Sequence, residues 1–303
     1  MNLDPSSRLA KSLAELPHPL REIPLASYPE LAGYTRTDVH ECLQGQGGLF
    51  LASDMAKMLH LSPGMRVLDL ACGRGSTSVF LARKYNVRVF AVDEFQPESV
   101  LQRPGASQVS ELITPVRADA RQLPFADEYF DAIFCMNSLF YFGTDDLYPP
   151  YLLRFLKRGG EMVVGSPCYR SELPADAPEE ILLEFPACFA VHSPSWWRKH
   201  FENCRGATVL HADLHPLGVE FWEDRVKFLL DHQKISDMSE GRREMIFDIL
   251  RMLRCDRDGF VSHFTMHLRK KLPKASLTTT PAVTSPGGAG DAPAVDHLPA
   301  RKP

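Results

Sequence analysis

Nowhere in this sequence of 303 residues do two cysteines stand in C-x-x-C spacing. The seven cysteines, Cys42, Cys72, Cys135, Cys168, Cys188, Cys204 and Cys255, are odd in number and scattered. This excludes the framework of a disulfide-stapled domain or a structural zinc site and reads as a set of reduced thiols. Long apolar runs are also missing. No window approaches the roughly 18 apolar residues that a membrane span needs, and Asp4, Pro5, Arg8, Lys11 and Glu15 interrupt the start, so no secretory leader is expected. Charge of one sign is absent as well: Lys+Arg 34 against Asp+Glu 38 leaves a net charge of -4. That balance supplies no general attraction to a polynucleotide or an anionic bilayer. A cytoplasmic protein with neither a membrane nor a nucleic-acid partner is expected, its oligomeric state left open.

What is present is ordinary globular composition, 44% hydrophobic and 24% charged, with a strong alternation of strands and helices. Residues 1–45 read as a mixed polar arm with Pro17, Pro19, Pro24 and Pro29, in which 34–43 can form a short helix. From Gln46 apolar residues fall at helical spacing over 51–59, followed by strand runs at 66–70, 87–92, 114–118, 132–136 and 161–165 with helical stretches between them. Parallel neighbours need such crossovers, so the pattern predicts a parallel sheet. Further helices are expected near 194–201, 219–232 and 240–253, with strands at 208–212 and 262–268. Residues 275–303, rich in Thr, Pro, Gly and Ala and without an aromatic, are expected to be a disordered tail. The domain is thus expected over 46–274, with lid insertions near 171–201 and 216–255.

The segment Val67-Leu68-Asp69-Leu70-Ala71-Cys72-Gly73-Arg74-Gly75 carries the chemistry. A buried strand runs into a glycine turn and then a helix, at the sheet edge where open α/β folds bind ligands. Asp93 ends the next strand 18 residues past Gly75, close to the spacing at which an acid accepts ribose hydroxyls, and Asp119 ends the third, where it can accept from an adenine amino group. A dinucleotide-dependent dehydrogenase is the rival reading. It expects a third glycine where Ser78 stands and asks for neither Asp69 nor Asp119.

Together with Leu123-Pro124-Phe125, Phe130-Asp131-Ala132-Ile133 and Leu156-Lys157-Arg158-Gly159-Gly160, these motifs resemble class I S-adenosylmethionine-dependent methyltransferases over roughly residues 45–270. Within them the chain is similar to a small-molecule, ubiquinone/menaquinone-methyltransferase-like branch. The resemblance implies an α/β, Rossmann-like fold: a seven-stranded, mostly parallel sheet with an antiparallel last strand and helices on both faces. It implies S-adenosyl-L-methionine as cofactor. Asp69 would support the glycine loop, Gly73 and Gly75 would lie near the methionine moiety, Asp93 on the ribose and Asp119 with Ala120 on the adenine. Ala71, Glu94 and Met136 complete the implied contacts. Asn137 and Phe140 stand where the branch tends to carry Asp and His, which keeps a non-catalytic cofactor-binding module open as an alternative.

A small-molecule methyl acceptor is expected beyond the fourth strand. Tyr141 and Asn137 are the catalytic candidates, and Tyr34, Phe140, Trp196 and Trp197 the expected pocket residues, with Phe221 and Trp222 as further aromatic lid candidates. No metal site is expected. His263 and His267 sit four apart in a strand, about 13 Å at ~3.3 Å per residue, too far to share an ion. His211 and His215 are expected to be solvated, and His192 structural. Tyr148-Pro149-Pro150-Tyr151 and Pro167-Cys168 imitate nucleic-acid methyltransferase motifs but fall after the wrong elements. Cys72, Cys135 and Cys168 at three strand ends are the only hint of a soft metalloid acceptor.

Overall fold

The C-terminal ends of six strands meet along one edge of a single seven-stranded sheet, where the antiparallel seventh begins, and the elements can be placed by their relation to that edge. The computed structural model describes residues 4–40, 45–177, 190–256 and 258–272. Cys42, Cys188, part of the first lid insertion and the tail beyond 272 lie outside the described residues.

In chain order the described elements are α1 (Pro5–Ala14), α2 (Arg36–His40), α3 (Gly48–Lys57), β1 (Arg66–Leu70), α4 (Ser76–Tyr85), β2 (Arg88–Asp93), β3 (Ile113–Arg117) and β4 (Phe130–Met136). There follow α5 (Tyr148–Arg154), β5 (Leu156–Tyr169), α6 (Pro194–Asn203), β6 (Ala207–Leu214), α7 (Glu220–His232), α8 (Glu240–Cys255) and β7 (Val261–Lys270). The sheet order is β3-β2-β1-β4-β5-β7-β6. β1 lies parallel to β2 (Leu68↔Phe90) and to β4 (Leu68↔Ile133), whereas β7 runs antiparallel to both β5 (Val164↔Met266) and β6 (Ala212↔Met266). This is the expected mostly parallel sheet with an antiparallel last strand, and it is the class I methyltransferase architecture.

Side chains alternate across each strand, so the sheet feeds two cores. Val67, Ala132, Phe134 and Val163 pack with Phe50 of α3 and Phe80 of α4, while Leu68, Ile133 and Val164 pack on the other face with Leu152, Phe201 and Leu250. All are buried, which at ~25 cal/mol per Å² of apolar surface is the main term holding the helices to the sheet.

Two local readings need correcting. The polar arm begins with a helix, capped where Asp4 accepts from the Ser6 and Ser7 amides with Pro5 at the first helical position. Its residues Leu9 and Leu13 pack on the second core, and Arg8 pairs with Glu244 of α8 at 3.0 Å. The Asp-Pro start and the Leu9, Leu13, Leu16 spacing were the available signals. Secondly, β5 runs on through Pro167 to Tyr169 instead of stopping at Gly165. Its pairing with β4 ends at Gly165, so on that side the proline's missing N–H costs no ladder bond.

Candidate active site

The loop after β1 is built around a buried carboxylate. Asp69 points into the turn, where its Oδ2 accepts from the Thr77 hydroxyl at 2.5 Å and the Ser78 hydroxyl at 2.6 Å, tying the strand to the first turn of α4. Burial, opposed by these two hydrogen bonds, pushes the Asp69 carboxyl up to about 6. Ala71 and Gly73 take positive φ, 56° and 55°. The chain thereby turns its Gly73 N–H to Asp93 at the end of β2.

Asp93 joins two loops. Its Oδ2 accepts from the Gly73 N–H and its Oδ1 from the Phe95 N–H, both at 2.9 Å. An ionised carboxylate has about four acceptor positions, so two remain free. Asp119 likewise accepts the Arg121 N–H at 2.8 Å through Oδ1. Asp69, Asp93 and Asp119 line one cavity of about 460 Å³ at the C-terminal edge.

Ala71, Gly73, Glu94, Ala120, Met136, Asn137, Phe140 and Tyr141 line the same cavity, so most of the sequence-predicted residues converge. Gly75 does not line it. This glycine is at φ 83°, and a Cβ there would lie 2.3 Å from Val100 Cγ2, so contact with the Val100 side chain, not with a ligand, requires it.

The fourth-strand corner is equally constrained. Asn137, at φ 56°, donates from its backbone N–H to Gly165 O and from Nδ2 to Gln46 O, both at 2.8 Å. Because the second partner is a carbonyl, the amide's orientation is fixed, and its Oδ1 is left buried without a hydrogen-bond partner. A Cβ on Gly45 would lie 2.4 Å from Asn137 Nδ2, so only glycine fits that turn. Tyr141 is 55% exposed at the rim, and its ring lies 4.2 Å from that of Phe140. Partial burial raises the phenol above its ordinary value, so it stays protonated at neutral pH and can serve as a hydrogen-bonding group.

Three expected pocket residues are elsewhere. Tyr34 lines a separate cavity of about 220 Å³, with the Arg83 guanidinium 5.1 Å from its ring. Trp197 is 1% exposed and packed in the core, and Trp196 is stacked between His192 at 3.8 Å and His200 at 4.6 Å. On α6 the helical period turns Trp197 into the core and leaves its neighbour Trp196 half-buried between the two histidine rings. Phe142, Pro167, Trp222 and Met245 line the main cavity instead. Trp222 was among the lid candidates. Gln46, Arg121, Pro167 and Met245 were not found from sequence, because only the tertiary fold brings them to the strand ends.

His215 is buried, not solvated: its Nε2 meets Asp54 Oδ2 at 3.3 Å, and its Nδ1 accepts the Leu217 N–H at 3.1 Å. His192 pairs with Glu172 at 2.9 Å, away from the cavity. Both β7 histidines are buried, and burial pushes His263 down to about 3. Burial also raises the Cys72 and Cys168 thiols and pushes Cys135 up to about 12, the opposite of a thiolate cluster. Among the described residues no group of three His, Cys, Asp or Glu is placed to hold a metal, and no helix is long and apolar enough to cross a membrane.

Comparison with known proteins agrees with the fold. Residues 67–160 match the family described as methyltransferase domain. The chain is similar to methyltransferase GfsG of Streptomyces halstedii, 28% identical over 65% of this chain and 64% of that protein. It also resembles the 27-O-demethylrifamycin SV methyltransferase of Amycolatopsis mediterranei, 30% identical over 38% of this chain and 43% of that one. This chain thus spans less than two thirds of the length of these curated relatives. Among solved structures, a putative sarcosine dimethylglycine methyltransferase from Galdieria sulphuraria superposes with a TM-score of 0.62 at 21% identity, over 74% of this chain and 84% of that chain. The protein has the class I methyltransferase fold, and its residues 67–160 are similar to the methyltransferase-domain family.

Proposed function

We propose that this protein is an S-adenosylmethionine-dependent methyltransferase acting on a small organic molecule. The observation that carries the reading is the convergence of Asp69, Asp93 and Asp119, from three successive strand ends, with the open Gly73 turn on one cavity whose far wall is aromatic. The donor set fits the cofactor. Free acceptor positions on Asp93 and Asp119 suit the hydroxyl and amino donors of an adenosine, no atom lies within 4 Å of a would-be Cβ at Gly73, and the carboxylate-rich lining suits a sulfonium.

When bound, S-adenosylmethionine supplies an electrophilic methyl carbon. The chain's own work is to hold and align: Asp93 and Asp119 fix one half of the cavity, while Asn137, Phe140 and Tyr141 present the acceptor from beyond β4. Alignment of this kind can supply much of the rate when the acceptor is already nucleophilic. The rifamycin relative's name specifies a small-molecule acceptor, as does that of the Galdieria structure, and both support the same class here.

Calorimetry with S-adenosylmethionine, S-adenosylhomocysteine and NAD tests the reading. The first two should bind, and NAD binding alone would overturn it. Asp93→Asn is the sharper variant, since it keeps the side chain's size while removing the charge. It should weaken binding by about 1.5 to 3 kcal/mol, the range for hydrogen bonds to charged groups. Methyl transfer from labelled cofactor to metabolite pools separates an enzyme from a binding module.

A further inference from the structure

The charges around the cavity are unevenly placed. Among the described residues four carboxylates, Asp69, Asp93, Glu94 and Asp119, line it against one guanidinium, Arg121. That guanidinium is committed: Nη2 donates to the Tyr141 carbonyl oxygen at 3.2 Å, and Nη1 lies 3.8 Å from Asp119. All five charged groups belong to β1, to β2 and β3 or to the loops that follow them. The end beyond β4 is different in kind. The lining that β4, β5 and the later helices bring consists of Phe140, Tyr141, Phe142, Pro167, Trp222 and Met245 beside the amide of Asn137 and the hydroxyl of Ser138, and none carries a charge at neutral pH.

We infer, building on the methyltransferase reading, that the methyl acceptor is a small aliphatic amine recognised by aromatic faces within an acidic cavity and not by an ion pair. Three acceptor chemistries meet these walls differently. A phenolate, enolate or carboxylate-bearing acceptor would enter a field set by four carboxylates and, among the described residues, meet one cation, the Arg121 guanidinium already held by the Tyr141 carbonyl oxygen and Asp119. A neutral alcohol would need a base beside it, and the titratable group there, the Tyr141 phenol, is held protonated. An amine needs neither. Its cationic form is drawn in by the carboxylates, it gives up one proton to water at the open rim beside the half-exposed Tyr141 before reaction, and the resulting lone pair is the nucleophile.

The step balances within these terms. The amine lone pair forms the new nitrogen–carbon bond as the carbon–sulfur bond breaks, and the departing pair stays on sulfur, so the sulfonium becomes a thioether. The positive charge passes to nitrogen, where the aromatic faces stabilise it as they do other ammonium ions. A product that keeps an N–H loses that proton to water on leaving.

The test uses the full chain loaded with S-adenosylhomocysteine and three probes: choline, its neutral isostere 3,3-dimethylbutan-1-ol, and benzoate. Calorimetry should show the cation binding about tenfold more tightly than the isostere, with benzoate weakest. Tyr141→Leu, which keeps bulk but removes the π face, should abolish most of that preference and leave S-adenosylhomocysteine affinity within about twofold. Equal or tighter binding of the isostere or benzoate, no saturable binding of the cation, or an unchanged preference in Tyr141→Leu would each overturn the amine assignment. Failure of S-adenosylhomocysteine to bind at all is a different result and would overturn the methyltransferase reading itself.

Discussion

The Asn137 side chain donates from Nδ2 to the Gln46 carbonyl oxygen across 2.8 Å, which ties the end of β4 to the turn that leads into α3. The bond sets one wall of the cavity, because both residues line it.

Asn137→Asp should therefore do more than change one side chain. It replaces the donor by a carboxylate oxygen facing a carbonyl oxygen, so the tie becomes a repulsion. We expect a loss of about 1 to 3 kcal/mol in urea unfolding, the cost of leaving a buried polar group unpaired. Methyl transfer should fall while S-adenosylhomocysteine affinity changes little. Gly45→Ala, which drives a methyl to 2.4 Å from the same Nδ2, should reproduce the defect without altering charge.

Gly75 gives a second, purely structural prediction. Gly75→Ala combines a left-handed backbone, at roughly 1–2 kcal/mol for a residue with a Cβ, with a collision against Val100. Val100→Gly removes both Val100 side-chain atoms that a Gly75 Cβ would strike, leaving Val100 Cα at 3.0 Å, while the backbone cost remains. A double-mutant cycle read by urea unfolding should thus show coupling, with Gly75→Ala less damaging in the Val100→Gly background. Equal damage in both backgrounds would assign the whole effect to backbone conformation.

These two corners show which parts of the site the sequence discloses. Asp69, Asp93 and Asp119 were legible because each closes an apolar strand run, and the parallel topology that aligns strand ends follows from the alternation of strands and helices. Gly73 and Gly75 looked equivalent in the sequence, but Gly73 faces the cavity and Gly75 faces Val100 of the following segment. Gln46 and Met245 reach the cavity only through helices docked from distant parts of the chain, and no local pattern reports such docking. Trp196 and Trp197 misled for the same reason, since an aromatic on an amphipathic helix can face a ligand or the core, and periodicity marks only that it faces inward.

The pH dependence of stability should carry two opposite contributions. Asp69 has its carboxyl pushed up to about 6 from an ordinary 3.8, so the folded state holds that proton more tightly than the unfolded chain. Its contribution is present below about 3.8 and is lost as pH rises through about 6, a penalty on the order of 3 kcal/mol at neutral pH. Asp69→Asn should flatten the stability profile between those values. Glu161 behaves the other way. Hydrogen bonds from the His60 backbone N–H at 2.9 Å and the Arg269 guanidinium at 2.6 Å, outweighing burial, hold it down to about 2 from 4.5. Its contribution is present above about 4.5 and lost as pH falls through about 2, so Glu161→Gln should remove part of the acid-induced loss. Melting temperatures from pH 2 to 7.5 for the wild type and both variants check the two signs together.

Tyr141 and Trp197 separate recognition from support. Trp197 is buried among Trp196, His200 and Phe264 and lies outside the cavity, so Trp197→Ala should cost about 3 to 5 kcal/mol of stability, the range for deleting a large buried aromatic. In whatever fraction remains folded, the relative rates on different acceptors should match those of the wild type. Tyr141, more than half exposed at the cavity rim, removes little packing when truncated. Tyr141→Ala should therefore leave the melting temperature within a few degrees while lowering turnover, and Tyr141→Phe should distinguish the hydroxyl's contribution from the ring's. The measurement is turnover per folded molecule alongside thermal unfolding. A shifted acceptor preference in Trp197→Ala, or full activity in both Tyr141 variants, would reverse the assignment of the two aromatics.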